Sequence, residues 1–249
     1  MKKDRFLLGV LGGLGPMSTF RFCELLTSHT KAECDADHID MIISSRATTP
    51  DRTDFILGRS SKDPLPVMLE ELRRLENAGA DLIVIPCNTA HYFYRGLQKE
   101  CRVPMINIIE ETVSFLQKGK IHRIGLLATE GTVRSGAYEQ ACKKADIECL
   151  SPSEEEQKII SDIIYQSVKQ NKEADLQAFL RVAESLQKRG CEKLVMGCTE
   201  LSLLDRSQMP NDLFLDSLDV LAYQTILACQ KVPVGFASKS TLFCDEVFS

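Results

Sequence analysis

Nowhere in its 249 residues does the chain gather a dense run of lysine and arginine, and its formal net charge is -5. That excludes the basic surface a nucleic-acid binder needs. No apolar run approaches the roughly 20 residues that cross a bilayer, so no membrane partner is expected. Residues 1–5 (Met-Lys-Lys-Asp-Arg) and the apolar residues 6–11 have the basic and apolar parts of an export signal, yet Gly12, Gly13 and Gly15 follow in place of a cleavage pattern. This start reads as a first strand. The ten cysteines contain no Cys-x-x-Cys pair, which removes a zinc ribbon and a thioredoxin-type redox centre. Ten thiols without an export signal imply a reducing compartment, with the cytoplasm as the expected location. The early glycines match neither Gly-x-Gly-x-x-Gly nor a P-loop, so no nucleotide is expected.

What is present is an ordinary globular composition, 44% apolar and 26% charged, written as two similar halves. Gly79 to Cys87 and Gly190 to Cys198 share one plan: a helix ending in glycine, an apolar strand, then a cysteine at the same spacing. Leu8 to Gly15 matches Ile124 to Gly131. The strand candidates 39–43 and 147–150 follow, and Met105-Ile106-Asn107 matches Phe214-Leu215-Asp216. A period of a little over a hundred residues suits a duplicated domain and not a solenoid.

Short apolar runs bounded by Gly or Pro alternate with helical patterns, the signature of parallel strands covered by crossover helices. The expected fold is α/β: two pseudo-symmetric, three-layer, parallel-sheet domains with the site in the cleft between them. Residues 1–115 plus 217–249 form the first domain and 116–216 the second. Helices are predicted over 16–31, 64–78, 132–145, 154–170, 174–189 and 217–230, with the acidic run at Glu154 as a solvated first turn. Residues 44–53 lack periodicity and read as a substrate loop. Ligands of such sheets bind beyond the carboxyl ends of the strands. Gly12 to Gly15, Cys87 to Thr89, Thr129 to Gly131 and Cys198 to Glu200 should therefore converge.

Two thiols facing each other across a cleft suit the inversion of a carbon next to a carboxylate. One thiolate removes the α-proton while a thiol on the other face returns one. Two reacting contacts of 3 to 3.5 Å imply sulfurs about 7 Å apart, too far for a disulfide. A general base or acid contributes only about 10² to 10⁴ in rate, so the carbanion needs further stabilisation. Backbone N–H groups with Asn88, Thr89 and Thr199 are placed to bind the substrate carboxylate. No Schiff-base lysine in a phosphate-binding setting is found, so no cofactor and no metal are expected. His91 either orients a thiolate or caps the helix, and Thr129 and Thr132 either line the site or only end the strand and open the helix. The other eight cysteines read as small apolar filler or surface residues.

The segments Gly12-Gly13-Leu14-Gly15-Pro16, Pro86-Cys87-Asn88-Thr89-Ala90-His91 and Gly197-Cys198-Thr199-Glu200 resemble the aspartate/glutamate racemase family over nearly the whole chain. The resemblance implies a pyridoxal-independent, commonly dimeric isomerase of a small dicarboxylic amino acid, with Cys87 and Cys198 as the catalytic pair. It also implies that Arg52, in Pro50-Asp51-Arg52-Thr53, and Lys169, on the helix through Tyr165, hold the side-chain carboxylate. Asn88, Thr89, Ala90, Thr129, Thr199 and Glu200 complete the substrate-binding set. The chain departs from many relatives in lacking a histidine after Asp216. Glu200 stands where glutamate racemases tend to have histidine, which favours the aspartate-type branch. Three other functions fit parts of the pattern: a maleate-type cis-trans isomerase, an amidohydrolase or acyl-transfer enzyme using Cys87 with His91, and a two-lobed solute-binding module.

Overall fold

The computed structural model describes residues 6–207, 209–210 and 212–236. The basic start at residues 1–5, Cys244 and the rest of the tail assigned to the first domain lie outside them. The first half runs β1 (Leu7–Gly12), α1 (Pro16–Ser28), β2 (Asp40–Ser45), α2 (Arg52–Ile56), α3 (Leu65–Asn77), β3 (Leu82–Val84), α4 (Tyr94–Glu100), β4 (Met105–Ile106) and α5 (Ile108–Lys118). The second half runs β5 (Arg123–Leu127), α6 (Glu130–Ser135), α7 (Ala137–Lys144), β6 (Glu148–Leu150), α8 (Glu154–Asp162), α9 (Leu176–Lys188), β7 (Lys193–Met196), β8 (Phe214–Asp216) and α10 (Ser217–Ala228).

Each half forms a four-stranded, wholly parallel sheet, ordered β2-β1-β3-β4 in one and β6-β5-β7-β8 in the other. The repeat extends to register: Gly9 pairs with Ile83 as Gly125 pairs with Leu194. It extends to the turns as well. Gly79 and Gly190, with φ of 92° and 88°, occupy the left-handed region after α3 and α9, where a side chain would be strained.

Three apolar clusters explain the layering. One lies between β1 and β3 and the helices α3 and α4, joining Leu72, Ile83 and Leu97. Another joins Phe179, Leu186 and Leu194 under α8 and α9. The third passes between the halves, linking Leu8 and Val10 to Ile124, Leu126 and Leu221. Because β1, β3, β5 and β7 are covered on both faces, they read as continuous apolar runs rather than alternating ones. α10 packs on α1 and α5 of the first half.

Two of the predicted helices and the predicted loop differ locally in the structure. Residues 132–145 are divided by Gly136 at φ 66° into α6 and α7. The predicted helix 154–170 keeps regular geometry only to Asp162, then widens into a π turn over Ile163–Ser167 and a tight turn over Val168–Gln170, ended by left-handed Asn171. The wider turn keeps Ile163 and Ile164 in the core while Tyr165 and Lys169 both reach the cleft. The substrate-loop segment contains α2, capped by Asp51, whose Oδ1 accepts from the Asp54 N–H at 2.9 Å. At five residues, α2 is too short to show a helical period. The acidic run does open a helix, with Ser153 and Glu156 forming a capping box.

Candidate active site

The loops after β1, β3, β5 and β7 meet at the carboxyl ends of the two sheets, as parallel topology requires. They enclose a cavity of about 10 Å³, room for about one water. Cys87 from the first half and Cys198 from the second both line it, 5% and 3% exposed. Each sulfur also lies near a backbone N–H at the start of the following turn, that of Ala90 for Cys87 and that of Glu200 for Cys198. Ala90 contributes that N–H and does not itself line the cavity. The other predicted residues, Arg52, Asn88, Thr89, Thr129, Lys169, Thr199 and Glu200, all do.

The two thiols have unequal neighbours. Burial pushes both up from the ordinary cysteine value, since a thiolate loses its hydration there. For Cys87 the positive charge of Arg52 is the largest opposing effect. Cys198 is held well above the ordinary value because the Glu200 carboxylate adds to burial, and its Sγ–H donates to Glu200 Oε2 at 3.0 Å.

Arg52 is buried, and among the described residues its guanidinium donates only to backbone carbonyls: Nη1 to Thr49 and Pro50 at 3.3 and 3.0 Å, and Nη2 to Leu14 at 2.9 Å. Its Nε has no hydrogen-bond partner among the described residues. A buried cation without a carboxylate is a strong acceptor site for an anion. Lys169 places Nζ 3.5 Å from Glu200 Oε1 and 4.7 Å from the centre of the Tyr165 ring. Burial pulls Lys169 down, but it is outweighed, with the charge of Glu200 the largest opposing effect, and the ammonium stays above the usual lysine range. A cleft of about 570 Å³ adjoins the cavity and shares Asp51, Arg52, Lys169 and Glu200 with it. These four form the wall between cleft and cavity.

Hydroxyls and amides join the halves. The Oγ1 atoms of Thr89, Thr129 and Thr132 form a triangle of 2.9, 2.9 and 3.0 Å. Thr129 also caps α6, accepting from the Thr132 N–H at 3.1 Å, and it lines the cavity, which Thr132 does not. Thr199 Oγ1 donates to Pro86 O at 3.4 Å. Asn88 is fixed at both ends of its amide, donating to Ser217 Oγ at 2.9 Å and accepting from the Tyr138 hydroxyl at 2.7 Å. Ser217 stands at the start of α10, the region where the resemblance would have placed a histidine.

His91 does not reach either thiol through its ring nitrogens. Nδ1–H donates to the Cys87 carbonyl at 2.9 Å and Nε2 accepts from the Ile108 N–H at 3.2 Å, which fixes one neutral tautomer. Burial lowers its pKa from 6.5 to about 4. Asp51, Thr53 and Tyr165 also line the cavity without having been singled out as site residues. They come from a five-residue helix and a distorted turn, and no periodicity marks either. Among the described residues no group of three His, Cys, Asp or Glu side chains is disposed to hold a metal, and no helix is long and apolar enough to cross a membrane.

Two parallel-sheet lobes closing on a buried thiol from each define a class of two-domain α/β protein with paired cysteines at its centre. Residues 11–225 match the family described as Asp/Glu/Hydantoin racemase, and the chain belongs to that family of racemases. It is 27% identical over 227 residues to the broad specificity amino-acid racemase RacX of Bacillus subtilis, a match covering 88% of this chain and 96% of that protein. A glutamate racemase of Aquifex aeolicus is 35% identical over 156 residues, 59% of this chain and 56% of that one. The solved Picrophilus torridus aspartate racemase superposes with a TM-score of 0.80 at 29% identity, covering 96% of this chain and 99% of its own.

Proposed function

We propose that the chain interconverts the enantiomers of a small dicarboxylic amino acid, aspartate foremost and glutamate as a further substrate, by proton transfer between Cys87 and Cys198 without a pyridoxal cofactor. The observation that carries this reading is that one enclosed cavity is lined by a buried thiol from each half and by a buried arginine with no carboxylate partner among the described residues. A base and an acid on opposite faces of one carbon suffice for inversion. As the α-proton leaves, charge builds on the substrate carboxylate. The Thr89 and Thr129 hydroxyls, the remaining N–H of Asn88 and nearby backbone donors are at hand to bind it, each worth up to about 3 to 4 kcal/mol when preorganised. Arg52 and Lys169 are assigned to the second carboxylate. An amino acid exceeds the space for one water, so the wall between cleft and cavity must open to admit it.

Broad specificity is the second reading, favoured by the match to RacX over most of the chain. A panel of L- and D-aspartate, glutamate and alanine separates the two. Arg52→Ala should cut kcat/KM for aspartate about 30-fold, the loss of roughly 2 kcal/mol in a charge-assisted hydrogen bond, and leave alanine nearly unchanged. An equal effect on alanine would remove Arg52 from side-chain recognition. The amidohydrolase reading loses its base, because both His91 nitrogens are occupied. A maleate-type isomerase would leave the α-deuterium of an amino acid untouched. The free state of every described cysteine fits a reducing compartment such as the cytoplasm, and the family resemblance supports a homodimer, which sedimentation would test.

A further inference from the structure

We infer that Glu200 is a positioning residue that keeps the proton on Cys198, so that the resting site holds unequal thiols, with Cys87 as base and Cys198 as acid. This rests on the two-thiol racemase reading and assigns roles within it. The Glu200 carboxylate is buried, and Oε2 receives the Cys198 Sγ–H at 3.0 Å. Among the described residues its other oxygen has no hydrogen bond and faces the Lys169 ammonium at 3.5 Å. A thiolate at Cys198 would place a second negative charge beside this carboxylate, in surroundings with little water to screen it. At Cys87 the charge of Arg52 favours a thiolate. Besides the two cysteines and Glu200, the charged or titratable residues lining the cavity are Asp51, Arg52, Tyr165 and Lys169. Lys169 eases a charge on Cys198 without cancelling the effect of Glu200.

A Cβ on Gly15 would sit 2.5 Å from Glu200 Oε1, so the absence of a side chain at residue 15 makes room for it. In one direction of turnover the Cys87 thiolate takes the α-proton, and the electron pair of the broken C–H bond passes into the substrate carboxylate. The Cys198 proton then bonds the opposite face of that carbon, leaving the S–H electrons on Cys198. The substrate is inverted, Cys87 carries a proton and Cys198 is a thiolate. Repulsion from Glu200 favours return of the proton to Cys198, either in the reverse reaction or between turnovers.

Peptide-mapped alkylation by iodoacetamide tests this in the folded protein at a series of pH values. In the wild type Cys87 should react ahead of Cys198. Glu200→Gln should raise the ratio of Cys198 to Cys87 alkylation about tenfold at fixed pH, equivalent to one pKa unit, and Glu200→Asp should keep the wild-type order. In a Cys87→Ser background, Glu200→Gln should speed α-proton exchange from the enantiomer that Cys198 serves, whereas a purely structural Glu200 would slow it. An unchanged ratio in Glu200→Gln, or Cys198 reacting first in the wild type, would overturn the assignment. Absence of exchange in the wild type would overturn the racemase reading instead, while the alkylation order still decides the role of Glu200.

Discussion

His91 is neutral because it is buried, and that choice has a pH cost. Its folded-state pKa is about 4 against 6.5 when exposed, so the unfolded chain binds the extra proton first as pH falls. The stability it lends is complete above pH 6.5 and drains away between 6.5 and 4, by roughly 3 kcal/mol in all. Urea unfolding across that range should show the loss, and His91→Gln should flatten the slope even if it lowers stability at pH 7. A wild-type profile without that slope would mean the ring is protonated in place. The cysteines and the histidine differ in how far sequence reveals them. Cys87 and Cys198 stand out because duplication writes each at the same distance from a glycine. His91 has no counterpart in the second half; its bond to the Cys87 carbonyl four residues back is local, but the Ile108 N–H reaches it only through tertiary packing at the start of α5, which spacing does not encode.

At the scale of elements, the matched turns carry a stability prediction. Gly190 holds φ at 88°, where an L-residue is strained by about 1 to 2 kcal/mol. Gly190→Ala should lower stability by that amount without changing the active site, and Gly79→Ala should do the same in the first half, as read from thermal unfolding. The strands, their succession along the chain and the main helices were legible because buried parallel strands form short apolar runs between glycines and helical stripes; the order of the strands within each sheet was not. The elements that shape the cavity were not. α2 spans barely more than one helical turn, and the π turn over Ile163–Ser167 is imposed by keeping Ile163 and Ile164 in the core while turning Tyr165 and Lys169 to the cleft. Tertiary packing decides both.

For the whole molecule, the halves meet through the threonine triangle, through α2 packed on α6, and through the exposed Arg59–Glu130 ion pair at 2.8 Å. That pair is solvent-screened, so Glu130→Gln should change unfolding free energy by less than about 1 kcal/mol and have no measurable effect at high salt. The packing of α10 on α1 and α5 supports the proposed division in which residues after 216 complete the first domain. Duplication then accounts for the site: each copy delivers one cysteine to the end of its third strand, and the facing copies bring both to one cavity. The most direct measurement of that central claim is racemisation and α-deuterium incorporation in deuterated water, without added cofactor, for the wild type, Cys87→Ser and Cys198→Ser with each enantiomer of aspartate. The wild type should racemise and label both enantiomers, whereas each variant should lose racemisation by at least about 10², with residual exchange from opposite enantiomers. Undiminished racemisation in either variant would contradict the two-thiol account.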